Sequence, residues 1–361
     1  MKNWSLSFSW MRSLACIAIV VLHTMSYAMV SANSRGVALS AGQTMGASLV
    51  QYTCMWAVPL FVMVTGALLL EPARELSWEK LWKKYIPRVG GALILFGALF
   101  LLFDLSMNGV PETLGNSAFY ASHPRDGAGY GYAIVCGVID LLTGHSWAHM
   151  WYLYMLLGLY LLMPFFKKIT DACPRDDLMA FLAINVLFLS VSPLLGLLGI
   201  GTDYRFPIAT IYPCYLFLGY VLHDRRLRLS RTFCGALFLI STVAIWLSVC
   251  FWKGDASSNL SYLTSYNSLP VVLQAGSLFV LLDRESSSEK PKYRKELLSF
   301  DKASFGIYLI HLVFIKVAFR YLELDPFAHI WLFPVVVLAA VLFSWVCTWV
   351  LQRIPGVRNI V

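Results

Sequence analysis

Charge is what this sequence has least of. Only 13% of its 361 residues are Asp, Glu, Lys or Arg, while 58% are hydrophobic and the mean hydropathy is +0.67. A soluble domain is nearer a quarter charged, so this chain cannot cover itself with a watery surface. The eight cysteines show no C-x-x-C pair and no zinc spacing, which indicates neither a metal site nor a disulfide framework. They fall mostly within apolar runs, where a thiol packs as a small apolar group. Internal repeats and low-complexity segments are missing, and almost no chain is left for a separate soluble domain. The net charge of +8 comes from basic residues scattered over short segments, which excludes a nucleic-acid-binding face.

What remains is apolar run after apolar run. Reading stretches of about 17–25 residues gives ten spans, at 11–30, 47–70, 89–109, 148–166, 178–199, 206–222, 234–252, 267–282, 303–322 and 330–352. The expected fold is therefore all-α, a polytopic integral membrane protein in one membrane-embedded domain over residues 1–361. Twelve Trp, 18 Tyr and 23 Phe suit a chain with two membrane interfaces to anchor. With the N-terminus inside, 22 of the 28 Lys and Arg fall on cytoplasmic segments, leaving Arg35, Arg125, Arg205, Lys253, Lys316 and Arg320 outside or at outer span ends. The positive-inside rule then predicts N-in and C-in. The first span has the basic start of a secretory signal, but the rest of the chain is equally apolar, so it reads as a retained span. The segment 110–147 contains SHPRDGAGYGY and reads as an irregular extracytoplasmic loop. DRESSSEKPKYRKELLSFDK, 283–302, reads as a polar cytoplasmic connector.

Against this background the ionisable residues within spans stand out. In RSLACIAIVVLH, residues 12–23, eleven steps of 100° return His23 to within about 20° of Arg12 on one helix face, roughly 16 Å further along the axis. Arg12 can snorkel at the cytoplasmic boundary. His23 is too deep for that, and an ionisable group at such depth faces the protein interior and marks function, or else a hydrogen bond between helices. His311 ends SFGIYLIH in the ninth span, with Tyr308 one turn earlier on its face. His149 opens the fourth span in HSWAHMWYLY beside Trp147, Trp151 and Tyr152, as an outer aromatic belt would. Two mid-membrane imidazoles point to proton transfer, in chemistry or in transport.

Five blocks, in order, carry a resemblance to the membrane-bound acyltransferase-3 family, which O-acylates cell-surface glycans and related molecules. Arg12 and His23 match its Arg-x10-His. VPLFVMVTGALLL, 58–70, is similar to its second-span segment, with Thr65 where Ser is usual. HMWYLYMLLGLYLLMP, 149–164, resembles its His-x-Trp-Tyr-Leu block. YLFLGYVLHDRR, 215–226, and SFGIYLIH, 304–311, resemble two later blocks. The likeness covers nearly the whole chain. Two departures stand out: Ser9 replaces a usual acidic residue three before the arginine, and KKYIPR puts Tyr85 and Arg88 where Arg-x-x-Arg is common.

The resemblance implies a transferase in a bacterial cytoplasmic (inner) membrane. It would move a short acyl group, acetyl from cytosolic acetyl-CoA or another acyl-CoA, onto a hydroxyl of a cell-envelope glycan or lipid-linked saccharide, with no metal. Lys83, Lys84, Arg88 and Arg12 would hold the coenzyme phosphates. His23 would be the general base, and His311 would share a relay or bond the thioester oxygen. His149, Trp151, Tyr152 and Tyr308 would border the acceptor. Ternary transfer and an acyl-histidine intermediate are both compatible with these residues. A proton-coupled transporter or glycan exporter is the alternative that intramembrane histidines also allow.

Overall fold

The computed structural model describes residues 6–72, 74–198, 200, 210–224, 227, 229–251, 262–283 and 294–361. Arg205 and Lys253, the Arg225 and Arg226 that end the fourth block, and 284–293 of the expected connector lie outside these residues. Among those described, nine helices are long and apolar enough to cross a membrane. The protein is an all-α, multi-pass membrane protein. Large apolar side chains such as Leu142, Leu239, Ile240, Leu338 and Val346 are more than half exposed. Water would not tolerate so many of them; lipid tails solvate them without cost.

The chain packs as two compact units, a division with no counterpart in its composition: residues 1–74 with 168–350, and residues 75–167 with 351–361. In the first unit α1 (Leu6–Ser34) packs against α2 (Ala41–Thr53) and α3 (Ala57–Leu69). Ser40 starts α2 with a reciprocal cap, its Oγ accepting from the Gln43 N–H while the Gln43 side chain accepts from the Ser40 N–H.

In the second unit α4 (Ile86–Met107) follows a π-helical turn at Leu81–Tyr85. The segment expected to be an irregular loop is mostly helical instead, as α5 (Gly109–Gly115), α6 (Ala118–Ser122) and α7 (Tyr130–Thr143). A small core of Leu105, Leu114, Ala133 and Cys136 drives this, since the loop carries enough apolar residues to bury one face. Gly144 at φ +89° then ends α7. Next, α8 (Trp151–Ala172) runs antiparallel to α4, with Tyr160 on Tyr85 and Phe165 on Trp78, both at 5.5 Å between ring centroids.

The first unit continues with α9 (Arg175–Val186), α10 (Tyr212–His223), α11 (Arg231–Phe251), α12 (Leu269–Leu282), α13 (Arg294–Lys316) and α14 (Leu332–Leu351). Of the sixth expected span, 206–209 lie outside the described residues, 210 and 211 are not helical, and α10, 12 residues long, takes in the rest. Pro213 and Pro270 sit in the first turns of α10 and α12, where a missing N–H costs nothing. These two helices run the same way: the Tyr215 hydroxyl donates to the Tyr266 carbonyl at one level, and His223 meets Asp283 at the other. The ninth span starts earlier than expected. Residues 294–302, assigned to a polar connector, are the opening turns of α13.

Helices α3 and α10 meet backbone to backbone. A Cβ built on Gly66 would collide with the Leu216 carbonyl, and one on Gly219 with that of Met63. Small residues allow such an approach where no hydrophobic force drives helices together. We expect Gly219→Ala to destabilise the protein by about 1–3 kcal/mol, read as a lowered thermal midpoint in detergent. Gly90→Ala, whose methyl would meet nothing within 4 Å, is the control.

Candidate functional site

Residues 9, 12, 16, 23 and 31 recur on one face of α1, and 301, 304, 308 and 311 on one face of α13. These faces meet. Cys16 Sγ contacts the Ser304 carbonyl at 3.5 Å, His23 meets His311, and the Ser31 hydroxyl donates to the Phe319 carbonyl at 3.0 Å, each pair 288 residues apart. A constant difference in number means that the two helices run parallel. Parallel first and ninth members are what an alternating series requires when α10 is counted as its sixth.

At the start of this seam, Arg12 Nε donates to Asp301 Oδ1 at 2.6 Å and Arg12 Nη2 to Oδ2 at 2.7 Å, a side-on fork. The Ser9 hydroxyl, one turn earlier on α1, donates to Oδ2 at 2.8 Å. The Asp301 side chain is 1% exposed and that of Arg12 16%. Three donors satisfy the carboxylate, the condition under which a buried ion pair is tolerated.

Eleven residues up α1 and ten up α13, about 15–16 Å along both axes, His23 Nδ1 lies 2.8 Å from His311 Nε2. The rings stack at 5.0 Å with 23° between planes. His311 is fully buried, and its Nδ1 lies 3.1 Å from the Ile307 carbonyl, which can only accept. Nδ1 of His311 therefore carries a proton. In the neutral pair Nε2 of His311 accepts from the Nδ1–H of His23, and the basic lone pair of His23 falls on Nε2. Tyr308, buried, lies 6.0 Å from the His311 ring. Thr65 turns back to its own helix, donating to the Phe61 carbonyl at 2.9 Å.

The other expected site residues belong to the second unit. Lys83 and Lys84 are exposed on the π-helical turn, Lys83 paired with Glu79 at 2.6 Å and Lys84 Nζ 6.0 Å from the Tyr85 ring centre. Arg88, exposed, lies one turn beyond Lys84 at the start of α4. His149, in the turn that opens α8, is buried, 1% exposed, its ring 5.6 Å from that of Phe100 and 6.1 Å from that of Trp147. Trp147 stacks on Phe100 at 4.3 Å and donates its Nε1–H to Asp104 Oδ2 at 2.5 Å. Trp151 and Tyr152 meet edge to face at 6.2 Å, and Tyr152 is buried. The structure thus joins Arg12, His23, Tyr308 and His311 along one seam, and Lys83, Lys84 and Arg88 on one helical start. Among the described residues no group of three His, Cys, Asp or Glu side chains could hold a metal ion.

Asp301 and Ser9 were missed. The signal was there: an acid ten residues before His311 answers a base eleven residues before His23. Asp104 was missed too, lying within a run read as a plain span.

The acyltransferase-3 family model, described as an acyltransferase domain, matches residues 5–349. The chain belongs to this family, and its chemistry is acyl transfer. No curated protein and no solved structure matches it.

The aromatic cluster around His149 depends on the indole bond to Asp104. Trp147→Phe keeps the stack on Phe100 and removes that donor. We expect a loss of about 1.5–3 kcal/mol, the usual value of a hydrogen bond to a charged group, seen as an earlier thermal transition; an unchanged transition would reduce the bond to a surface ornament.

Proposed function

We propose that this protein transfers an acetyl group from cytosolic acetyl-CoA to a hydroxyl of a cell-envelope glycan or lipid-linked saccharide, in a bacterial cytoplasmic membrane. The observation that carries the proposal is the His23–His311 pair. Its hydrogen-bond order, from the Ile307 carbonyl through both rings, directs a lone pair outward at His23 Nε2. His23 Nε2 takes the proton of the acceptor hydroxyl as that oxygen bonds to the thioester carbonyl carbon. It returns the proton to the departing sulfur as the carbon–sulfur bond breaks, giving ester and free thiol. While His23 is protonated, its Nδ1–H bond to His311 Nε2 shortens and spreads the positive charge over two rings. General bases so held contribute about 10²–10⁴-fold.

Lys83, Lys84 and Arg88 are assigned to the donor's phosphates. Lys84 and Arg88 stand four residues apart on an exposed helical start, where both can reach one polyanion. The exposed Glu79 partner of Lys83 is no obstacle, since such a pair is worth at most about 1 kcal/mol. Tyr308, beside His311, and Trp151 and Tyr152 are assigned to the acceptor. His149 is assigned to the acceptor side too, where its ring packs with those of Phe100 and Trp147.

The test uses the full chain in proteoliposomes with labelled acetyl-CoA and fractionated envelope glycans. The wild type labels a glycan fraction; His23→Ala, present at normal levels, loses at least about 100-fold, and His311→Ala falls severely as well. Near-normal labelling by His23→Ala would overturn the mechanism. Deletion in the native cell separates enzyme from exporter: acyl groups disappear while the polymer still reaches the surface. Loss of the polymer itself would favour transport.

Reversing charge at Lys83, Lys84 and Arg88 together should weaken coenzyme A binding to the purified protein at least about tenfold at low salt, with a smaller difference at high salt, because exposed phosphate contacts are screened. Equal affinity at low salt would move the donor's phosphates elsewhere.

A further inference from the structure

We propose that Asp301 is a positioning residue for acyl transfer: its carboxylate clamps Arg12 and so sets the register in which His23 meets His311. The kinetic part of this rests on the acyl-transfer reading; the register part does not. The two helices are far apart in sequence, 289 residues separating Arg12 from Asp301, so no turn fixes their alignment. Apolar seams alone specify register poorly, because a slip of one turn, about 5.4 Å, replaces one aliphatic contact by another. The polar contacts do not tolerate such a slip. Both oxygens of Asp301 are held, Oδ1 by Arg12 Nε and Oδ2 by Arg12 Nη2 and Ser9 Oγ, and all three donors come from α1. The carboxylate is thus fixed in rotation as well as in height.

From that clamp each helix climbs almost the same distance to its imidazole, eleven residues on α1 and ten on α13. A buried polar group used to specify register is the best-attested service of such pairs. Ser9 adds a second feature. Its hydroxyl already touches Asp301 Oδ2 from one turn before Arg12, so a carboxylate on residue 9 would enter the same space from the other helix. That position permits a relocation test.

Three variants of the full chain are compared with the wild type: Asp301→Ala, Ser9→Asp, and Ser9→Asp with Asp301→Ala. Register is read without activity, from oxidative cross-linking of native Cys16 to a Ser304→Cys substitution introduced in every background, since Cys16 Sγ lies 3.5 Å from the Ser304 carbonyl. Turnover is read with acetyl-CoA and envelope glycans in proteoliposomes. We expect Asp301→Ala to cross-link several-fold more slowly and to lose about 100-fold in kcat, the effect of a misplacement near 1 Å, with the KM for acetyl-CoA little changed. Ser9→Asp alone should also be impaired, because two carboxylates then face one guanidinium. In the double variant Arg12 has one buried carboxylate again, and both readouts should recover to within a few-fold of wild type. If Asp301→Ala does not accumulate, accumulation of the double variant is the same rescue. Wild-type cross-linking and kcat in Asp301→Ala would overturn the proposal, as would a double variant no better than the single one. If cross-linking falls and recovers while even the wild type transfers no acetyl group, the register assignment stands and the choice of donor or acceptor is wrong.

Discussion

The parallel seam between α1 and α13 is the constraint on which the rest of the first unit depends. Two neighbouring parallel helices cannot be joined by a tight turn; the chain must cross the membrane an odd number of times between them. Everything between residues 34 and 294 has therefore to be threaded before Asp301 can reach Arg12. This explains where the close packing lies. Helix α1 is flanked by α2, α3 and α13, and α3 is pressed onto α10 at glycine contacts with no room for a methyl group. Lipid-facing helices such as α11 and α14 can be far more uniform, because their outward residues only need to be apolar.

The seam separates charge from chemistry. A lone Arg12 would act on an imidazolium some 16 Å away with roughly 1 kcal/mol of repulsion at an effective dielectric of about 20, opposing the protonation that the proposed mechanism needs. Pairing it with Asp301 removes most of that field, because the pair is neutral. At the imidazoles themselves the anchor is the Ile307 carbonyl, a dipole rather than a carboxylate. A carbonyl fixes the tautomer of His311 as firmly as an acid would, without placing a second full charge in the interior, where desolvation costs several kcal/mol. On the proposed mechanism, a proton taken up by His23 would be spread over two rings instead of being neutralised by an ion. On that mechanism such a base would give its proton back to the leaving sulfur more readily than one held by a carboxylate.

The parts of this arrangement that could be read in the sequence are those carried by a single segment. Arg12 and His23 share a face by spacing alone, and His311 is visible as an imidazole where lipid allows few. Asp301 is different. It belongs to a stretch dense in Lys, Glu and Ser, whose composition says connector, and only the tertiary contact shows that α13 already begins at Arg294. The segment 110–147 misled for the opposite reason: four of its eight Gly and Pro residues lie within 124–131 and draw attention from the apolar residues on either side that form helices. The tryptophans around His149 suggest an exposed interfacial ring, yet Trp147 and Phe100 pack against it and its exposure is 1%. Aromatic enrichment cannot separate an interfacial belt from a buried aromatic cluster, since both reward a ring with one polar atom. The division into two units was invisible, as both are made of equally apolar helices.

Helix length fixes the depth at which the chemistry occurs. The 29 residues of α1 extend about 43 Å, more than the roughly 30 Å of hydrocarbon they must cross. If the excess is shared between the two ends, Arg12 falls within a few Å of the inner boundary, and His23 falls close to the midplane. That depth solves a problem particular to acyl transfer. Water competes with any hydroxyl acceptor for a thioester, and a base exposed to solvent would catalyse hydrolysis as well as transfer. If His23 is the general base, as proposed, it would meet little water near the bilayer centre, and an acceptor bound there would have the advantage of proximity over a competitor that is largely excluded. On this proposal the membrane would do for the enzyme what a closing lid does for a soluble one, and the cost is a structure that must hold its polar groups in pairs along a single seam.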